Sequence, residues 1–199
     1  RRFEISPAVL DPRPDTETLI DAALAVAKLR PVQRLADLGT GSGIVALTLL
    51  AEWPEATALA TDRSAAALAV AADNAARLGV AERLRLQEAD WWQGVNGRFD
   101  LIISNPPYIV RSDIGGLAAA VREHDPAPAL DGGEDGLDCY RAIAAGAAGH
   151  LSNGGFILLE LGKGQAEAVG NIFLANNFKL LGEWKDLGGI LRVLGFELA

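Results

Sequence analysis

Short apolar runs alternate along the chain with longer Ala- and Leu-rich stretches. Runs of five or six apolar residues predict buried strands, and the longer stretches predict helices, so the pattern is that of an α/β domain. A first helix is expected over Thr16 to Lys28, with Asp15 as its N-cap after the turn-forming Asp11-Pro12-Arg13-Pro14. Strands are expected over Arg34 to Leu38, Thr57 to Thr61, Leu84 to Glu88, Phe99 to Ser104 and Phe156 to Glu160. The fourth has the near-continuous apolar character of a buried parallel strand. Further helices are expected over Ile44 to Glu52, from a Ser64 cap to Leu78 with a stop at Gly79, over Leu137 to His150 and over Gln165 to Asn176. Lys179 to Trp184 and Leu191 to Glu197 read as a closing antiparallel pair turned at Gly188-Gly189. Asn105 to Gly136 has little periodicity and several Pro and Gly residues, so it reads as a long functional or mobile loop.

Composition narrows the function classes. The 199 residues suit one domain with a sizeable core. With 18 Lys+Arg against 26 Asp+Glu the net charge is −8, which disfavours general binding to nucleic acid or to anionic membranes. One cysteine, Cys139, excludes an internal disulfide framework and fits a reducing compartment such as the cytoplasm. His124 and His150 lie too far apart to form a helical metal pair, so no metal site is expected. No apolar run approaches the roughly 18 residues of a membrane span, and no signal peptide opens the chain. The absence of Met suggests that the chain begins inside a longer protein.

Candidate chemistry collects where the strands end, because ligands of open α/β sheets bind at the carboxyl edge. The first strand runs into Asp37-Leu38-Gly39-Thr40-Gly41-Ser42-Gly43. Its GxGxG spacing lacks the third glycine of a dinucleotide fingerprint, since Ile44 stands there. Glycines at these positions let a backbone approach a ligand closely, though the loop alone also fits a structural turn. Asp62, ending the second strand, is placed to accept from two ribose hydroxyls. Asp90, after the third strand, can accept from an exocyclic amine, and Trp91 can cover a planar face, while Trp92 reads more readily as core. Asn105-Pro106-Pro107-Tyr108 follows the fourth strand. Its prolines fix an extended exit and remove two N–H donors, leaving the Asn105 side-chain oxygen and the Pro106 carbonyl as neighbouring acceptors. Two adjacent acceptors suit an –NH2 group, and Tyr108 offers a face for a planar amide or base.

These motifs resemble the class I S-adenosylmethionine-dependent methyltransferases. The Asn105–Tyr108 segment is similar to the motif of amino-methyltransferases that act on amide or exocyclic base nitrogens. Leu10-Asp11-Pro12-Arg13-Pro14-Asp15-Thr16-Glu17, the stretch from Ala129 to Asp138 and Lys185-Asp186-Leu187-Gly188-Gly189 narrow the resemblance to the protein-(glutamine N5) methyltransferases that modify peptide chain release factors. The chain departs from that pattern at Asp11, Asp125 and Ile190-Leu191. The resemblance implies a Rossmann-like, doubly wound, mostly parallel seven-stranded sheet with a C-terminal antiparallel hairpin. It implies one catalytic domain over residues 1–199, without the helical N-terminal docking domain of such enzymes.

It further implies S-adenosyl-L-methionine as cofactor, S-adenosyl-L-homocysteine as product, and a release factor as protein partner. The cofactor residues would be Gly39, Thr40, Gly41, Ser42, Gly43, Asp62, Asp90, Trp91 and Asn105. Asn105, Pro106, Pro107 and Tyr108 would hold the substrate, with Asn105, Pro106 and Tyr108 catalytic. Arg13, Thr16 and Glu17 would lie near the cofactor, although the same residues also read as a helix start. Two other readings stand: methylation of exocyclic base nitrogens in nucleic acid, and a non-catalytic interaction module of the same fold.

Overall fold

The computed structural model describes residues 1–199, the side chain of Glu123 excepted. Its strands are β1 (Arg34–Leu38), β2 (Thr57–Asp62), β3 (Leu84–Glu88), β4 (Phe99–Ser104), β5 (Leu151–Glu160), β6 (Phe178–Lys185) and β7 (Leu191–Leu198). They form one sheet in the order β3-β2-β1-β4-β5-β7-β6. The first five are parallel, and β7 runs antiparallel to both β5 and β6. The helices are α1 (Asp15–Val26), α2 (Ile44–Glu52), α3 (Ala65–Leu78), α4 (Ala119–His124), α5 (Asp138–His150) and α6 (Ala166–Ala175).

Period-two alternation divides the core between the two faces of the sheet. On β4, Leu101 and Ile103 pack with Leu19 of α1 and with Leu47 and Leu50 of α2. Ile102, between them, packs with Tyr140 and Ile143 of α5 and with Phe173 of α6. Helices cover both faces, which is why the central strands are apolar throughout rather than alternating. Strand order reverses between β1 and its neighbours β2 and β4, and this opens a crevice at their carboxyl ends.

Some boundaries differ from those expected. Helix α1 starts at Asp15 and ends at Val26, with Pro14 at the N-cap and no side-chain cap bond. Asp15 is therefore not a cap; its carboxylate pairs with Arg192 of β7 at 2.9 Å. Strand β5 begins at Leu151 rather than Phe156. Leu151 pairs with Phe99 before the register shifts, and Gly154, at φ +73°, lies in the strand just past that pair. The Gly154-Gly155 pair thus sits inside a strand instead of breaking it. Residues 105–136 carry α4 and two 3-10 turns, at 111–116 and 127–129. The Ser64 cap holds, accepting from the Ala67 amide at 3.2 Å, and Gly79 closes α3 in the left-handed region.

Candidate active site

The glycine loop leaves β1 with Gly39, Gly41 and Gly43 all at positive φ (71°, 55° and 81°). They do different things. A Cβ on Gly39 or Gly41 would meet nothing, because both border a cavity of about 320 Å3. One on Gly43 would meet Leu47 at 2.8 Å, so this glycine lets α2 and α3 pack together and does not line the cavity. Thr40 and Ser42 line it with Gly39 and Gly41.

Carboxylates from two strands organise this loop. Asp62 Oδ2 accepts from the Gly41 amide and Oδ1 from the Ser64 amide, both at 2.9 Å. Asp37 is 2% exposed and accepts through Oδ2 from Thr40 Oγ1 at 2.7 Å and from the Ala46 amide at 3.2 Å. Burial pushes its carboxyl up to about 6 despite those bonds, and the Asp62 charge adds to the rise. Both carboxylates border the cavity.

Beyond β3, Asp90 and Trp91 also border it. Trp91 adopts φ +50°, a costly conformation for an aromatic residue, at the edge of the cavity. Its neighbour Trp92 is structural. Trp92 donates to the Ile143 carbonyl at 2.9 Å and stacks on His150 with ring centroids 4.5 Å apart.

The segment after β4 brings Asn105 and Pro107 to the cavity wall. Pro106 is buried, and neither it nor Tyr108 lines the cavity itself. Asn105 Nδ2 donates to Thr16 Oγ1 at 3.2 Å, leaving Oδ1 to serve as an acceptor. Tyr108 is anchored through its backbone, its carbonyl accepting from Gln165 Nε2 at 3.0 Å. Gly132 and Gly136 press on the same stretch, where an added Cβ would come within 2.8 Å and 2.6 Å of the Tyr108 backbone. This close approach is why the 132–136 turn is rich in glycine. Glu134 and Asp135 are exposed, and Asp135 is spent on Arg141.

Residues 8–13 and 126–129 roof the cavity. One carboxylate joins the two segments: Asp125 pairs with Arg13 and accepts from the Asp11 amide at 3.0 Å. Of the residues flagged near the start of α1, Arg13 and Thr16 reach the cavity and Glu17 does not.

Glu160, at the end of β5, is the group that motif reading missed. It is 1% exposed, and its Oε2 has no hydrogen-bond partner. Burial raises its carboxyl to about 7; Asp15 adds to the rise, while Thr16, Arg192 and Asn105 pull it down. The signal was available, since Glu160 ends a strand at the same edge as Asp37, Asp62 and Asn105. Its pKa lies above the unfolded value near 4.5, so the folded state binds the extra proton and loses stability as pH rises towards 7. Glu160→Gln should therefore melt at a higher temperature than the wild type at pH 8, by up to about 3 kcal/mol in stability, with the gap closing by pH 5. Thermal melts across that range check this, and a constant gap would locate the burden elsewhere.

Among the described residues no His, Cys, Asp or Glu cluster could hold a metal ion, and no helix is long and apolar enough to cross a membrane.

Residues 16–121 match the family model described as "Methyltransferase small domain". The chain is 51% identical over 198 residues to a release factor glutamine methyltransferase of Cereibacter sphaeroides, covering all of this chain and 70% of that protein. Among solved structures, a ribosomal protein L11 methylase from Lactobacillus delbrueckii subsp. bulgaricus is similar with a TM-score of 0.68 and 23% identity, over 92% of this chain and 78% of the other. A glycopeptide N-methyltransferase complexed with (S)-adenosyl-L-methionine matches at a TM-score of 0.63 and 14% identity, over 92% and 94%.

Proposed function

From a chain that belongs to the release factor glutamine methyltransferase family, we propose an enzyme that methylates the side-chain N5 of the glutamine in a release factor's Gly-Gly-Gln loop, with S-adenosyl-L-methionine as donor. The observation that carries this reading is one cavity bordered by both Asn105 and the open glycines Gly39 and Gly41. The residues present fit the cofactor. Gly39 and Gly41 leave room where a Cβ would intrude, Asp62 offers carboxylate oxygens to ribose hydroxyls, and the buried Asp37 suits a cationic ammonium. Asp90 and Trp91 border the same space as partners for an adenine amine and ring. A solved structural neighbour holds this compound, which adds support.

When bound, S-adenosyl-L-methionine supplies a methyl group on a positively charged sulfur and leaves as S-adenosyl-L-homocysteine. The protein's task is alignment, because an amide nitrogen is a poor nucleophile whose lone pair is delocalised into its carbonyl. Alignment of this kind can supply roughly 7–11 kcal/mol. Asn105 Oδ1 and the Pro106 carbonyl accept the two amide hydrogens and turn the lone pair towards the methyl carbon. Positive charge builds on nitrogen as the bond forms, so both acceptors hold the transition state more tightly than the ground state. The surplus proton leaves to water afterwards. Asn105 and Pro107 both border the cavity, on either side of the Pro106 carbonyl, while Tyr108 packs against the core beyond the cavity wall.

The test is transfer of an isotopically labelled methyl group from S-adenosyl-L-methionine by the full-length protein, with a purified release factor and duplex DNA in parallel. Label on the glutamine of the Gly-Gly-Gln loop, mapped by mass spectrometry, is expected. Label on DNA alone would move the activity to base nitrogens, and label on neither would favour a non-catalytic module.

A further inference from the structure

We infer that Glu160 is a positioning residue: its carboxylate, acting directly and through the Thr16 hydroxyl, fixes the Asn105 amide with Oδ1 towards the cavity. The inference rests on the reading of Asn105 as the acceptor for the substrate amide.

An asparagine amide can sit two ways round, and only one presents oxygen to an incoming –NH2 group. Thr16 Oγ1 could accept from Nδ2 or donate to Oδ1 equally well, so by itself it chooses neither. Glu160 breaks the tie. Thr16 and Asn105 both lie beside its carboxyl and favour its ionised form. An ionised carboxylate only accepts, so the Thr16 hydrogen goes to Glu160 and the Thr16 oxygen is left to accept from Asn105 Nδ2 at 3.2 Å. A protonated Glu160 can donate to Thr16 instead. The Thr16 hydrogen can then turn to Asn105 Oδ1, which permits the flipped amide.

The surroundings keep this switch close to balance. Asp15 at the start of α1 opposes ionisation, and Arg192 of β7 favours it. Arg192 is shared, since it also pairs with Asp15 at 2.9 Å and Asp186 at 3.0 Å. Tyr108 and Tyr140 of α5 also face Glu160; burial above all, with the nearby carboxylate adding to it, raises both phenols, so both stay neutral. The Tyr140 hydroxyl is committed to the Glu160 backbone carbonyl at 2.9 Å and leaves the carboxyl alone. Oε2 thus stays buried without a partner, at a cost the fold would shed if the carboxyl had no work to do.

Two measurements on the full-length protein test the inference. In the first, which needs no substrate, the Asn105 side-chain amide is followed by 15N–1H NMR and assigned by its loss in Asn105→Ala. Its resonances should titrate with a midpoint near that of the Glu160 carboxyl, about 7. The titration should vanish in Glu160→Gln. The second is single-turnover methyl transfer to a release factor. The wild-type rate should climb through the same pH range, while Glu160→Gln should be flat and about tenfold to a hundredfold slower at pH 8, the cost of a misplaced group. Thr16→Val should behave like Glu160→Gln, and Thr16→Ser should restore most of the rate. An amide that does not titrate in the wild type, or a Glu160→Gln rate that keeps the wild-type pH profile, overturns the inference. A normal titration with no transfer to any release factor supports the relay and removes the substrate reading instead.

Discussion

Asn105→Ala should bind S-adenosyl-L-methionine almost as the wild type does and lose methyl transfer by about 10²–10³-fold, the usual effect of deleting one preorganised group at a developing charge. The split follows from geometry. Asn105 follows β4 and borders the cavity that the glycine loop also lines, and its Nδ2 is tied to Thr16 rather than to any cofactor-loop residue. Truncation removes the acceptor and leaves Asp37, Asp62 and the loop they organise in place. The Pro106 carbonyl, the second proposed acceptor, is untouched by the substitution, so some rate should be retained. Single-turnover transfer at saturating cofactor reads the loss, and calorimetric titration reads the binding. A mutant that turns over at the wild-type rate would remove Asn105 from the catalytic centre.

Asp62→Ala should produce the opposite split. Cofactor affinity should fall about tenfold to a hundredfold, since a hydrogen bond to a charged group contributes about 1.5–3 kcal/mol. The structure adds a second cause. Both carboxylate oxygens already hold backbone amides, those of Gly41 and Ser64, so the alanine also releases the loop from α3. Asp62→Asn should fall between the two, because it keeps one acceptor oxygen and loses the charge. With cofactor at saturation the rate of transfer should recover most of its wild-type value in both variants. Unchanged affinity in Asp62→Ala would exclude this carboxylate from ribose binding.

The parts of the site legible in the sequence are those written locally. A strand pattern followed by GxGxG, by Asp62, or by Asn-Pro-Pro-Tyr places each group at one edge once the strands are read as parallel, and the sheet has that order. Trp91 borders the cavity, and Trp92 is fixed by His150 and the Ile143 carbonyl. What could not be read depends on contacts between distant residues. Gly43 shares the spacing of Gly39 and Gly41, yet it serves the packing of Leu47, which spacing alone does not reveal. Thr16 reads as part of a helix start because its partner Asn105 is 89 positions away. Asp125 showed only as a departure from a family pattern; its work is to hold Arg13 and the Asp11 amide. Glu160 carried a strand-end signal but no motif, and only the packed sheet makes it a buried carboxylate without a full set of partners.

The Asp125 clasp also sets an order of events in folding. It joins residues separated by 112 and 114 positions, and such long loops close at an entropic cost that contacts formed earlier must offset. Contacts at such separation are expected to form late, so Arg13 and Asp125 should meet once the strands beneath have paired. Interactions that form this late govern how fast a native structure comes apart, and leave the rate at which it assembles nearly untouched. The Arg13–Asp125 contact, whose carboxylate is itself buried, should therefore slow the opening of the cavity roof and leave the folding rate nearly unchanged.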